Sequence, residues 1–157
     1  MPKGYTLIEL VLVLVLTAVL AADVASRDPA APLDAAAVAK EVAAAVRLAQ
    51  LDSMTKGARY CVNFAATGYA FATQDCTQAV ADPVTGQNTV TLPEGMTLAW
   101  TGLSTGNVSF AGNGVPYGGA TAGTAGQALT APASVSVTDG PATSQFLITP
   151  QTGAVLP

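Results

Sequence analysis

The chain has 157 residues, ten of them acidic and six basic, a net charge of −4 and no histidine. Without histidine no Ser-His-Asp or Cys-His arrangement can be built, and no phosphate-cradling glycine loop with its lysine is present, so those routes to hydrolysis and phosphate chemistry are closed. All six basic residues, Lys3, Arg27, Lys40, Arg47, Lys56 and Arg59, precede residue 60, and the rest of the chain lacks the charge that nucleic-acid binding draws on to neutralise phosphates.

The first stretch sets the organisation. Residues 1–4 form a short polar leader, and from Tyr5 to Ala22 the only charged side chain is Glu9. As a helix that run would be roughly 27 Å long at about 1.5 Å per residue, close to a bilayer core of about 30 Å. A lone carboxylate at membrane depth costs a few kcal/mol or more and normally has a partner. Lys3 belongs on the cytoplasmic side under the positive-inside tendency, and Arg27 lies past the apolar run, so the chain offers Glu9 none. A cut between Gly4 and Tyr5 would create an α-amino group at the head of the helix, and a neighbouring copy then supplies the missing charge.

Gly4-Tyr5-Thr6-Leu7-Ile8-Glu9 resembles the class III signal of type IV pilins and type II secretion pseudopilins. The resemblance implies that a prepilin peptidase cuts after Gly4 and methylates the new N-terminus at Tyr5, and that Glu9 guides subunit docking. It further implies a single-pass protein of the bacterial inner membrane with its head in the periplasm. Its expected partners are the peptidase, other pilin or pseudopilin subunits and inner-membrane lipid, with no cofactor, nucleic acid or small-molecule substrate. Tyr5 departs from the phenylalanine usual in the family. The competing reading is a secretory signal peptide, which has a basic n-region, an uninterrupted apolar core and a small-residue cleavage site. Val19-Leu20-Ala21 fits such a site, but the n-region has one lysine and Glu9 interrupts the core.

The transmembrane and assembly helix is expected over 5–28, followed by a break at 29–33, because Pro29 and Pro32 remove helix hydrogen bonds and clash with the preceding turn. A second helix is expected over 34–56. Asp34 can cap it, Val38, Val42, Val46 and Ala49 form a stripe at helical spacing, and Lys40, Glu41, Arg47, Asp52 and Lys56 lie away from the stripe. Val46-Arg47-Leu48-Ala49-Gln50, followed by Ser53-Met54-Thr55-Lys56, resembles the helix end of minor pseudopilins of the GspH and FimT type and of mannose-sensitive haemagglutinin pilus proteins. Taken alone, Arg47 reads as a solvated helix-face charge.

From Arg59 the period changes from helical to alternating, with Tyr60, Val62 and Phe64 on one side and Cys61 and Asn63 on the other. Ala65 to Gly68 is a turn signal, and Tyr69 to Thr73 can return as the partner strand. Further strands are expected at Thr89–Leu92, Met96–Thr101, Asn107–Phe110, Ser134–Thr138, Gln145–Thr149 and Ala154–Leu156. Residues 111–133 are rich in glycine, alanine and threonine and carry no charge; they read as a flexible loop, with partner contact as its sharper role. The ending, Phe146 to Thr149 and then Gln151-Thr152-Gly153-Ala154-Val155, resembles the last hairpin of the GspH-type head.

Cys61 and Cys76 belong to the part the resemblance places outside the cytoplasm, where a disulfide between them is expected; free thiols or a metal pair are the alternatives, the latter disfavoured by the wide spacing. Asp75, Asp82, Glu94 and Asp139 are too scattered to suggest a catalytic pair, and Asp82 with Thr85, Gln87 and Asn88 is a thin calcium candidate. The expected fold is α+β: an N-terminal transmembrane helix, a proline break, and an amphipathic helix on an antiparallel β-sheet head of pilin type, residues 34–157 with the β-rich part from 58. The expected function is that of a minor pilin or pseudopilin and not an enzyme. The alternatives are a membrane-anchored or secreted binding module whose long loop grips a ligand and, third, a DNA-uptake pilin.

Overall fold

The computed structural model describes residue 8, residues 11–17 and residues 34–157. The chain divides into two units, Met1–Pro32 and Leu33–Pro157. Of the first unit the description covers α1, helical at Ile8 and over 11–17. Thr17 turns its hydroxyl back to donate to the carbonyls of Val13 and Leu14, both at 3.0 Å, so the one polar side chain here is satisfied within the helix. Gly4, Tyr5, Glu9 and the proline segment 29–33 lie outside the described residues.

The second unit begins with α2, Ala35–Lys56. Asp34 has extended backbone angles and accepts the amide of Ala36 at 3.1 Å, the N-cap expected of it. Gly57 ends the helix in the left-handed conformation, φ 62°, which glycine adopts without steric cost. The expected stripe is buried, but it is wider than Val38, Val42, Val46 and Ala49 alone, because Ala35, Ala39, Ala43, Ala45 and Ser53 are buried with it. Small side chains over so much of the surface let the helix axis sit close to the strands beneath it.

Those strands form two antiparallel sheets. The larger has the order β3-β2-β1-β6-β7-β8, with β4 also paired to β2. Its members are β1 Tyr60–Ala65, β2 Gly68–Thr73, β3 Gln78–Val80, β4 Val90–Thr91, β6 Asn107–Phe110, β7 Pro116–Gly118 and β8 Gln127–Ala128. The smaller has the order β11-β10-β9-β5, from β5 Met96–Thr101, β9 Ala133–Asp139, β10 Ala142–Ile148 and β11 Val155–Leu156. Leu98 of β5 ties the smaller sheet to the larger by donating to Ala66 in the β1–β2 turn at 2.8 Å, while Phe64 to Gly106 and Leu92 to Thr67, at 2.7 and 2.9 Å, brace loops beside the larger sheet. Trp100 of β5 packs on Phe64 of β1 with ring centroids 6.3 Å apart. Val42 and Val46 of α2 share one core with Val62, Val108, Phe110, Val135, Val137, Phe146 and Ile148, all at most 2% exposed.

The expected hairpin of β1 and β2 is present in the register Val62 opposite Phe71 and Phe64 opposite Tyr69. Its alternation has a consequence the pattern did not carry: β1 is covered on both faces. Val62 and Phe64 enter the main core, while Cys61 lies in a second cluster with Ala72, Cys76 and Ala120. β2 opens on Gly68 because a Cβ there would strike the Val90 carbonyl of β4.

The segment 111–133 requires a correction in its secondary structure. It holds β7 and β8 and buries Pro116, Ala120 and Leu129. Strands of two and three residues between glycines leave no period to read, and their hydrogen bonds depend on β6 lying alongside. β3, also three residues long, carries no readable period either. β10 begins at Ala142 rather than Gln145, because the small polar residues Thr143 and Ser144 are placed by pairing with β9 rather than by burial of a face.

Candidate assembly site

Two regions stand out, one in each unit. In α1 every large apolar side chain described is exposed, from 47% at Val11 to 75% at Ile8, with Leu12, Val13, Leu14, Val15 and Leu16 between. A water-facing helix puts its apolar residues on one stripe; here they go all round, so this surface is suited to lipid or to other apolar helices. Among the described residues no helix is long and apolar enough to cross a membrane.

In the head, the end of α2 is bonded to the last turn of the chain. Arg47 donates to the Val155 carbonyl at 2.9 Å, and Gln50 Nε2 donates to the carbonyls of Gly114 and Thr152 at 3.0 and 2.8 Å. Arg47 is therefore exposed and yet a tether, where by itself it read as a solvated charge. Gly153, buried with φ 66°, completes the junction: a Cβ there would lie 2.7 Å from Gln50 Nε2 and 2.9 Å from both the Gly114 carbonyl and the Phe110 ring. These are the residues of the two stretches that resembled the helix end and last hairpin of the GspH-type head, now in mutual contact.

Arg59, the last basic residue, holds the segment 111–133 from its other side. Its guanidinium donates to Ser109 Oγ at 2.8 Å and to the Ala125 carbonyl at 3.0 Å, and lies 4.6 Å from the centre of the Tyr117 ring. Asn107 adds a buried pair of bonds to Ala120, donating from Nδ2 at 2.8 Å and accepting at Oδ1 at 3.1 Å. No sequence signal marked Asn107 or Ser109, since polar residues in a strand normally face water and these are buried by β7 and its following loop. A groove of about 700 Å³ lies between residues 100–104 and the stretch 118–131, with no charged side chain lining it.

The cysteines do pair. Cys61 and Cys76 are disulfide-bonded with their Cα atoms 5.3 Å apart. The bond secures a single turn, Gln74–Thr77, in which Gln74, Asp75 and Cys76 all have positive φ, 47°, 54° and 62°. Each non-glycine residue in that region costs about 1–2 kcal/mol. Asn63 Nδ2 donates to the Cys76 carbonyl at 3.0 Å and braces the same turn. Replacing both cysteines with serine is expected to lower stability by about 3 kcal/mol, the entropy of a loop of this length, read as a lower urea midpoint, and to raise amide exchange first at residues 74–77.

The scattered carboxylates are not gathered by the fold, and among the described residues no group of three or more acidic or cysteine side chains is placed to hold a metal ion. Asp82 Oδ1 accepts the amides of Val84 and Thr85 at 2.7 and 3.4 Å, so this oxygen serves its own turn.

Residues 2–22 match the pattern described as the prokaryotic N-terminal methylation motif. No curated protein matches the chain. Among solved structures, the head is similar to the minor pseudopilin EpsH from the type 2 secretion system of Vibrio cholerae: 14% identity, 78% of this chain and 94% of that one, TM-score 0.51. It is also similar to the type IV minor pilin FimU of Pseudomonas aeruginosa, with 12% identity, 76% of this chain and 84% of that one, TM-score 0.53. At such identities the likeness is one of fold. The chain thus combines an N-terminal methylation motif with a head, α2 on two antiparallel sheets, that has the fold of these minor pilin and pseudopilin structures.

Proposed function

We propose that the chain is a minor pilin or pseudopilin, a structural subunit with no catalytic role. It is held in the bacterial inner membrane with its head in the periplasm, cut by a prepilin peptidase between Gly4 and Tyr5, methylated on the new N-terminus, and then assembled with other pilin-like subunits into a short filament. The observation that carries this reading is the methylation motif at residues 2–22 lying in register with an apolar helix exposed on all sides. A monomeric secreted protein would gain nothing from such a surface, whereas helix packing in a filament buries it at roughly 25 cal/mol per Å². The likeness of the head to minor subunits of both secretion and pilus systems supports the minor-subunit part of the reading. Nucleic acid is disfavoured as a partner because the β-rich part of the head has no basic residue beyond Arg59.

Intact-mass measurement of the full chain, co-expressed with a prepilin peptidase, tests the proposal. The expected product has lost residues 1–4 and gained one methyl group. An uncut chain, or one cut near Ala21, would overturn it and favour the anchored or secreted binding module.

A further inference from the structure

A second cavity, of about 340 Å³, lies on the other side of the head between α2, β2 and the loop that follows β3. Its walls are apolar, formed by Leu48 of α2, Phe71 of β2 and Val84 of the loop, with alanines of α2 between them. The ionisable and phenolic groups that line it are all on one chemical side: the carboxyls of Glu41 and Asp82 and the hydroxyl of Tyr69. Asp82 and Tyr69 are 3% and 4% exposed.

Neither of these buried groups is used up by the fold. Asp82 spends one oxygen on the amides of Val84 and Thr85. Among the described residues its other oxygen and the Tyr69 hydroxyl have no hydrogen-bond partner, and neither is sealed off from the surface. No lysine or arginine lines the cavity, and among the described residues neither Glu41 nor Asp82 is in an ion pair. Burial pushes the Tyr69 hydroxyl up to about 12, and the neighbouring Glu41 and Asp82 push it in the same direction, so at neutral pH it stays protonated. The cavity thus joins an apolar lining to two acidic side chains, one of them nearly buried, with no basic residue among those that line it.

The geometry points to this cavity as a docking site for a lysine or arginine side chain of a partner protein, the aliphatic stem lying against Leu48, Phe71 and Val84 and the charged head between Glu41 and Asp82. Long basic side chains combine an apolar stem with a charged tip, which is the complement of this lining. The volume is at the small end for ligand sites and suits one side chain rather than a folded element. Val84, 82% exposed at the mouth, offers the partner backbone an apolar contact. This inference does not rest on the filament reading, since it concerns the head alone.

The test uses the full chain in zwitterionic detergent micelles, with the Leu48 and Val84 methyl groups followed by NMR. The probes are the N-acetyl methylamides of lysine, arginine and norleucine, the last sharing the lysine stem without its charge. Saturable shifts confined to the cavity methyls are expected with lysine or arginine, with norleucine at least about tenfold weaker, a difference of about 1.4 kcal/mol. Glu41→Gln and Asp82→Asn should each reduce the basic probes towards the norleucine level and leave norleucine unchanged. Asp82→Asn keeps the oxygen that holds the turn; should it nonetheless disturb the fold, Glu41→Gln, at an exposed position, decides alone. Equal binding of norleucine, insensitivity of the basic probes to both charge removals, or no saturable shift with any probe would overturn the proposal.

Discussion

Glu9→Ala is expected to leave the chain inserted in the membrane and its head folded, but to remove it from filaments. The substitution makes residues 5–22 uniformly uncharged, which favours insertion. The loss falls on assembly, where the carboxylate of one subunit would meet the Tyr5 amine of the next. A buried ion pair gains little over apolar packing of the same volume, so its value lies in register, but deleting one member strands the other at a cost of about 3–5 kcal/mol. That corresponds to a loss of roughly a hundredfold or more in incorporation, at about 1.4 kcal/mol per factor of ten. The measurement is the amount of the variant in sheared filaments relative to the membrane fraction. Incorporation equal to that of the unaltered chain would refute the role assigned to Glu9.

Phe110→Ala is expected to be the most destabilising single truncation in the head, at about 3–5 kcal/mol. Phe110 is fully buried at the end of β6, paired with Tyr60 of β1 on one side and Pro116 of β7 on the other. Its ring also closes on Gly153 in the last turn. The cavity left by the substitution therefore opens at the point where α2, the larger sheet and the C-terminal turn converge, and none of the three can collapse into it without giving up hydrogen bonds. Leu147→Ala is the control: on the outer face of β10 and 37% exposed, it should change stability by no more than about 0.5 kcal/mol. Urea midpoints of the two variants in the same micelles make the comparison, and equal midpoints would contradict the placement of the core.

Where the residues of an element carry a local signal, that element was legible in the chain. Asp34, the valine spacing and Gly57 mark α2 from cap to cap, and Cys61 and Cys76 fall in the β1 strand and in the turn after β2, where a bridge closes. The methylation motif is local by nature, a match to the consecutive residues 2–22. Arg47 shows the limit. Its spacing places it on the exposed side of α2, and only the return of the last strand gives it the Val155 carbonyl, 108 positions away, as a partner.

The sequence by itself determined that there is an apolar segment with a lone acid, one capped helix and a set of alternating strands, and it supported the expectation that Cys61 pairs with Cys76. Each of these rests on neighbours within a few turns of chain or on the chemistry of one residue type. Only the tertiary structure decided that the strands divide into two sheets, that 111–133 holds β7 and β8, and that Arg59 and Asn107 pin it. It alone brought Glu41, Tyr69 and Asp82 around one cavity. The physical reason is the same throughout: short strands, buried polar residues and convergent charges are stabilised by partners distant in sequence, and their own composition does not distinguish them from solvated loop.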